Sequence, residues 1–507
     1  MEASLVPPQG SSAASFPTLA TATSALRFEL QTSIYCHALC PAAVLETLKD
    51  KLANFRSLSV NYAGYPATPF ADPIACLNNH ATGARNDIPT TDIGNMSFKQ
   101  VYDELTKYVI VNVGPHRTSG YKGCNVFDME TELCDMLIAI TEYDKPIKHF
   151  EVVSCASSTI AIRNALRNAL ASYKNAFIVC SSEGHNAISG ACRYLGLPEH
   201  RIKRCAGTEN GQIDLTDVEL ILSQSADLKP EDGVIVFLTG CTTAKGAYDD
   251  IRGVRALLDR HGFFKSNSYI HVDYALGFFF INMLNDEAAK PFQIDMVGYG
   301  IRSANFSTYK VCESVNVGAF SIFDRRYVAV GEGADFVNVA PDDATYAGAR
   351  DGRVILDTWI WMRTRGYAGI LHECMRICAL GSTIAATVNT ACGEAVIKRH
   401  AYSGILFFET LSENITERFV LATGTDKFTG KKVSHIVVRP HAQEGLYERF
   451  SCAIISEVLA KKGEIPGVIA AKTSGINYTR IHDRCASEKR VSTSTWLDRL
   501  MDALACW

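Results

Sequence analysis

Between residues 149 and 275 short apolar runs alternate with longer stretches in which apolar residues recur every three to four positions. HFEVVSC (149–155), AFIVCSS (176–182), GVIVFLTG (233–240) and SYIHVDYA (268–275) are rich in β-branched and aromatic residues and predict strands buried on both faces. SSTIAIRNALRNALASY (157–173), HNAISGACRYLG (185–196), DLTDVELILSQSA (214–226) and DDIRGVRALLDRHG (249–262) predict helices, and the short RIKRCAG (201–207) precedes the third of them. Strands alternating with helices in this way mean βαβ units and a mainly parallel sheet. Upstream, 40–56 and 128–141 have helical periodicity, separated in part by the Gly/Pro-rich NYAGYPATPFADP (61–73). Downstream the pattern changes at about residue 356. A long helical stretch is followed by GILFFET (404–410) and SHIVVRP (434–440), which predicts a smaller α+β domain. The expected organisation is a mobile tail over 1–35, an N-terminal arm over 36–140, a large domain over 141–355 and a small C-terminal domain with a terminal extension over 356–507. The chain shows no internal repeat.

In a parallel sheet ligands lie beyond the carboxyl ends of the strands. Ser157, Ser158 and Thr159 follow the first strand, His185 the second, and Thr242 and Thr243 the GVIVFLTG run. Asp273 ends the last one, a lone carboxylate in an otherwise apolar segment. Burying an unpaired charge is costly, so this group is protonated or paired with protein, metal or cofactor. The Ser-Ser-Thr turn at a helix start suits an anion, through backbone N–H groups and the helix dipole, and equally suits N-capping.

Composition narrows the function classes. The chain has 507 residues, 47% hydrophobic and 21% charged, with a formal net charge of −4. No basic excess supports nucleic-acid binding, and no apolar run approaches the roughly 18 residues that span a bilayer. The 17 cysteines form no CxxC pair and no zinc-type spacing. They read as reduced core thiols of a cytoplasmic protein, with no metal site. Residues 1–26 lack the apolar segment of a secretory signal.

The order of the motifs resembles the group II amino-acid decarboxylases that depend on pyridoxal 5′-phosphate (PLP), of the fold-type I aminotransferase class, and most closely their histidine-decarboxylase-like branch. VVSCASSTIAIRNAL resembles the turn that holds the PLP phosphate. CSSEGHNAISGACRYLGL resembles the segment with the ring-stacking histidine. VIVFLTGCTTAKGAYDDI is close to a Gly-Thr-Thr-x-x-Gly-Ala-x-Asp-Asp run, IHVDYALGFFF resembles His-Val-Asp-Ala-Ala, and YAGARDG resembles Ser-Gly-Ser-Arg-Asn-Gly. The resemblance spans roughly residues 40–460. It implies an α/β fold of the PLP-dependent transferase type, a large domain with a mainly parallel seven-stranded sheet and a smaller α+β domain. It implies decarboxylation of an L-amino acid, through a Schiff base, in a homodimer with the active site at the interface.

Residue by residue, the resemblance places Asp273 on the pyridine nitrogen and His185 on the ring face. It places Ser157, Ser158, Thr159, Thr242, Thr243 and Ser307 around the cofactor. Lys310 becomes the Schiff-base lysine; it is the one lysine between Lys290 and Lys398. His116 and Tyr121, in NVGPHRTSGYKGCNVFD, become candidate substrate contacts. Three departures stand out. Tyr309 replaces the histidine before the lysine, Ile160 stands near an expected acidic residue, and Ala349 replaces a serine that reaches the phosphate across the dimer. Asp295 also lies further from Lys310 than the family pattern implies. Another PLP reaction on an amino acid, or a non-catalytic paralogue, remains an alternative at this point.

Overall fold

The structure, a computed structural model, describes residues 38–61, 93–141, 149–224, 228–312, 314–328, 348–439 and 445–476. The expected N-terminal tail, nearly all of the Gly/Pro-rich loop and most of the C-terminal extension lie outside the described residues.

A short strand, β1 (Val111–Val113), precedes the main sheet. Seven strands form that sheet: β2 (Phe150–Cys155), β3 (Phe177–Ser181), β4 (Ile202–Cys205), β5 (Val234–Thr239), β6 (Ser268–Asp273), β7 (Ile301–Ser307) and β8 (Ala319–Asp324). Their order is β2-β8-β7-β6-β5-β3-β4. β4, β3, β5, β6 and β7 run parallel, and β8 runs antiparallel to both β7 and β2. The expected fold class is therefore the one found. Every residue of β3, β5, β6, β7 and β8 is buried, as strands covered on both faces should be.

The flanking helices follow their apolar stripes. Helix Ser158–Ser172 starts where Ser157 caps it and buries Ala161, Ile162, Ala165, Leu166 and Ala169 against the sheet. Helix Pro41–Asn61 buries Val44, Leu48, Leu52 and Phe55, an i, i+4, i+8, i+11 stripe, in the same core.

β9 (Ala349–Asp351) pairs antiparallel with β1 and leads into helix Gly352–Cys392. A Cβ on Gly352 would stand 2.4 Å from Ile110 Cγ2, so only glycine lets the helix start press against this pair. The helix is interrupted at Gly366 (φ 60°, ψ 176°). Its first part places Trp359, Trp361 and Met362 in the main core. Its last turns place Leu380, Ile384 and Val388 in a second core. That core also takes residues from helix Leu446–Lys461 and from an antiparallel sheet of β10 (Lys398–Arg399), β11 (Ile405–Glu409), β12 (Ala422–Thr425) and β13 (Lys432–Val437), ordered β10-β11-β13-β12. The two cores thus part along one helix, near Leu380, well after the change of pattern at 356 that marks the helix start. No helix among the described residues is long and apolar enough to cross a membrane.

Candidate active site

Asp273 ends β6 and is 3% exposed. The parallel register puts Thr239 of β5 and Asn305 of β7 beside it. Asp273 Oδ1 accepts hydrogen bonds from Asn305 Nδ2 (2.9 Å) and from the Ala275 N–H (3.0 Å). Oδ2 accepts none among the described residues. Burial pushes the carboxyl pKa up, while the Asn305 hydrogen bond and the positive charges of His185 and Lys310 pull it back. The result is a buried carboxylate with one oxygen committed and the other open to a cation. Asn305 was not foreseen from the sequence, although the alternation of Ser303, Asn305 and Ser307 along β7 is a visible two-residue polar period.

Lys310 follows β7 directly. Asp295 lies before the strand, in a turn where the Gly298 N–H donates to Asp295 Oδ1 (2.6 Å) and the Tyr299 N–H to the Asp295 carbonyl (3.0 Å). The Lys310 side chain is half-buried, with Nζ 5.9 Å from the centre of the Tyr309 ring. No described residue forms a hydrogen bond or ion pair with it. Lys245, the other lysine near these turns, is fully buried and committed: Nζ lies 2.7 Å from Asp426 Oδ1 and 3.1 Å from the Glu209 carbonyl.

A hydroxyl cluster closes the other end. Ser158 Oγ and Ser307 Oγ are 2.7 Å apart at the N-terminus of the fifteen-residue helix Ser158–Ser172. Thr308 Oγ1 and Thr239 Oγ1 are buried with no hydrogen-bond partner. The Ser157 hydroxyl accepts from the Ile160 N–H (3.3 Å), which is the capping role. Thr159 is half-buried with no described partner for its hydroxyl. Thr242 is wholly buried, and its Oγ1 accepts from the Ala247 N–H (3.0 Å), so that hydroxyl braces the turn; Thr243 beside it is exposed. His185 is exposed on the loop after β3, its Nδ1 accepting from the Ala187 N–H (3.1 Å), close enough for its charge to act on Asp273.

Lys310, Asp273, His185, Ser158 and Ser307 thus converge at the carboxyl ends of the strands. His116 and Tyr121 are both buried. His116 is buried, and the charges acting on it are Glu130, Arg117, Arg350 and Asp135; burial pushes its pKa down to about 4. Arg350 serves this region as a brace: its guanidinium meets Glu130 at 2.7 Å, Ser154 Oγ at 3.1 Å and the Gly114 carbonyl at 2.9 Å. Ala349 is exposed beside it.

The residues fit PLP. A free primary amine, an open buried carboxylate oxygen, and the Ser158 and Ser307 hydroxyls at a helix N-terminus match its aldehyde, its ring nitrogen and its phosphate. Among the described residues no cluster of side chains suits a metal ion.

The seven-stranded, mainly parallel sheet, with an aspartate ending β6 and a lysine following β7, is an α/β fold shared with solved amino-acid decarboxylases. No protein-family model matches the chain. It is similar to the histidine decarboxylase of Vibrio campbellii, with 24% identity over 345 residues, 67% of this chain and 83% of that one. It is also similar to the histidine decarboxylase of Solanum lycopersicum, with 27% identity over 39% of this chain and 45% of that one. For some of these relatives the match therefore spans only about half of their length. Among solved structures, the L-methionine decarboxylase of Streptomyces sp. 590 shares the fold at a TM-score of 0.57 and 17% identity, over 84% of this chain and 96% of that one. The Lactobacillus brevis glutamate decarboxylase does so at a TM-score of 0.56 and 13% identity, over 80% and 96%. These curated relatives are named histidine decarboxylases, and the solved amino-acid decarboxylases share the fold of this chain.

Proposed function

We propose that the protein is a PLP-dependent carboxy-lyase that converts an L-amino acid to its amine and CO2. The observation that carries this reading is the pairing of a free Lys310 amine with the open Oδ2 of Asp273 above a hydroxyl-lined helix N-terminus. PLP, when bound, supplies the electron sink that makes loss of CO2 from Cα feasible. Lys310 would hold it covalently through Nζ and give way to the substrate amine. Asp273 would keep a proton on the ring nitrogen, His185 would pack on the ring face, and Ser158, Ser307 and Thr308 would donate to the phosphate. These groups fix orientation and electrostatics in advance of reaction.

Lys310 also lines a cavity with the apolar Leu276, Phe280, Trp361 and Val438 and the charged Glu373 and Arg439. Such a wall suits a substrate that has an apolar part and a charged end. We further propose a cytoplasmic homodimer whose second copy completes the site, with Ala349 facing it. The presence of Tyr309 where relatives carry histidine beside the lysine favours, as a second reading, another PLP reaction on the same substrates. Mass spectrometry of products from a mixture of the common L-amino acids plus PLP separates the two. An amine and CO2 from one amino acid support decarboxylation; a keto acid or an elimination product overturns it.

A further inference from the structure

Ser303, His271, Asn305 and Asp273 form one buried chain of hydrogen bonds at the centre of the sheet. Ser303 Oγ lies 2.8 Å from His271 Nδ1, and His271 Nε2 lies 2.8 Å from Asn305 Oδ1. Asn305 Nδ2 then reaches Asp273 Oδ1 at 2.9 Å. None of the four is more than 3% exposed. The chain has one direction, and the aspartate sets it. A carboxylate only accepts, so the asparagine must turn its NH2 to Asp273 and its carbonyl to His271. The carbonyl only accepts, so His271 must carry its proton on Nε2. Nδ1 then accepts from the Ser303 hydroxyl. Burial holds His271 far down, at about 3, which leaves the ring neutral and compatible with that single tautomer.

We propose that Asn305 is the positioning residue for the cofactor's ring nitrogen, pinning Oδ1 of Asp273 so that Oδ2 faces that nitrogen and the shared proton stays on nitrogen. This inference rests on the PLP reading above. A hydrogen bond donated into a carboxylate lowers its proton affinity, so the proton between Asp273 and the ring is held on the ring side. In a buried chain each bond polarises the next, and His271 and Ser303 keep Asn305 from rotating its amide. The other charged groups that act on Asp273 are His185 and Lys310, and the Cys241 thiol lies close enough to feel both Asp273 and Lys310. None of these donates a hydrogen bond to the carboxylate. One strand thereby does three things at alternate positions before it delivers Lys310: Ser303 ends the chain, Asn305 holds the acid, and Ser307 meets Ser158.

The test uses the holoenzyme loaded with PLP labelled with 15N in the ring, alongside PLP affinity measured by fluorescence on apo protein. Asn305→Leu keeps volume without a donor; Asn305→Ser keeps a donor in less volume. In wild type the ring 15N resonance should sit at the protonated position. Asn305→Leu should move it toward the unprotonated position at the same pH and weaken PLP about ten- to a hundredfold, the range for a lost hydrogen bond to a charged group. Asn305→Ser should hold the protonated position. Should Asn305→Leu not fold, Asn305→Ala makes the same comparison. A resonance that tracks the donor supports the inference, and one that tracks volume, or does not move in any variant, overturns it. Wild type that takes up no PLP on Lys310 overturns the parent reading instead, so the two failures are distinct.

Discussion

Two segments flank the end of β6, and each sets a lysine and a buried aspartate near the same strands. The turn over residues 239–249 carries Lys245 and Asp249; β6 and the β7 end carry Asp273 and Lys310. Burial does not tell them apart. Asp249 and Asp273 are both buried and both have raised pKa values, Asp249 to about 7, through burial first. The difference lies in what each polar atom has left over. Asp249 accepts from the Ile213 N–H with Oδ1 (2.6 Å) and from the Thr239 N–H with Oδ2 (2.7 Å), and Lys245 spends its amine on Asp426 and Glu209. Asp273 keeps an oxygen open and Lys310 keeps its amine. A perturbed acid whose valence is fully used is a brace, and the same acid with a lone pair to spare is a candidate for chemistry.

The strongest way to break this comparison is to exchange the fates of the lysines. Lys310→Ala should fold and melt as wild type does while losing turnover by ~10³-fold or more, at least ~4 kcal/mol of barrier. Lys245→Ala should do the reverse. It leaves Asp426 buried without its cation, a change of roughly 3–5 kcal/mol in stability, while the cofactor stays on Lys310. Borohydride reduction followed by peptide mapping reads the attachment point. A PLP adduct on Lys245 would sink the distinction at once.

The aspartates sharpen it. Asp273→Asn should fold and lose more than about tenfold in turnover, or ~1.4 kcal/mol of barrier, because an amide cannot hold the ring proton. Asp249→Asn replaces two acceptor oxygens with one and orphans a backbone N–H, at roughly 1–3 kcal/mol of stability. The pH dependence differs as well. With a folded pKa of about 7 against an ordinary 3.8, Asp249 holds a proton in the folded state that the unfolded chain releases. Its contribution is full below the unfolded value and is lost as pH rises to the folded one. The stability of wild type relative to Asp249→Asn should therefore fall from about pH 4 to about pH 7 and stay flat above. Urea titrations across that range measure it, and a difference growing with pH contradicts the assignment.

Much of this was legible in the sequence because it depends on local pattern. β3, β5 and β6 are apolar runs bounded by turn residues, and Asp273 stands out against its run. Lys310 stands out in the sequence because no other lysine lies between Lys290 and Lys398. What could not be read depends on neighbours distant in sequence. That β8 runs antiparallel between β2 and β7 follows from packing, since nothing in AFSIFD encodes a direction. Thr242 looked like a cofactor ligand because of its motif, yet a backbone N–H five residues on takes its hydroxyl. His116 looked like a substrate contact and turns inward toward Glu130 and Arg350. Asn305 was hidden for a third reason: its alternation with Ser303 and Ser307 acquires meaning only when the register sets it beside Asp273.

The smallest effect concerns the scaffold side of the comparison. Cys241 has φ 88°, in the left-handed region, one of two non-glycine residues among those described to do so. It stands where the resembling motif has the glycine of Gly-Thr-Thr. An L side chain there costs ~1–2 kcal/mol. The thiol is buried, 3.5 Å from Ser403 Oγ, and its pKa is pushed up to about 11, so it is an inert filler. Cys241→Ala keeps the strain and drops the sulfur. Cys241→Gly drops both, but adds ~0.5–1 kcal/mol of unfolded-chain entropy. The balance puts glycine above alanine by ~0.5–1 kcal/mol at this one position, the reverse of their usual order in regular structure. Urea midpoints at equal slope compare the two directly. Alanine matching or exceeding glycine would mean that the turn bears no strain, and that its conformation follows from the Thr242–Ala247 brace alone.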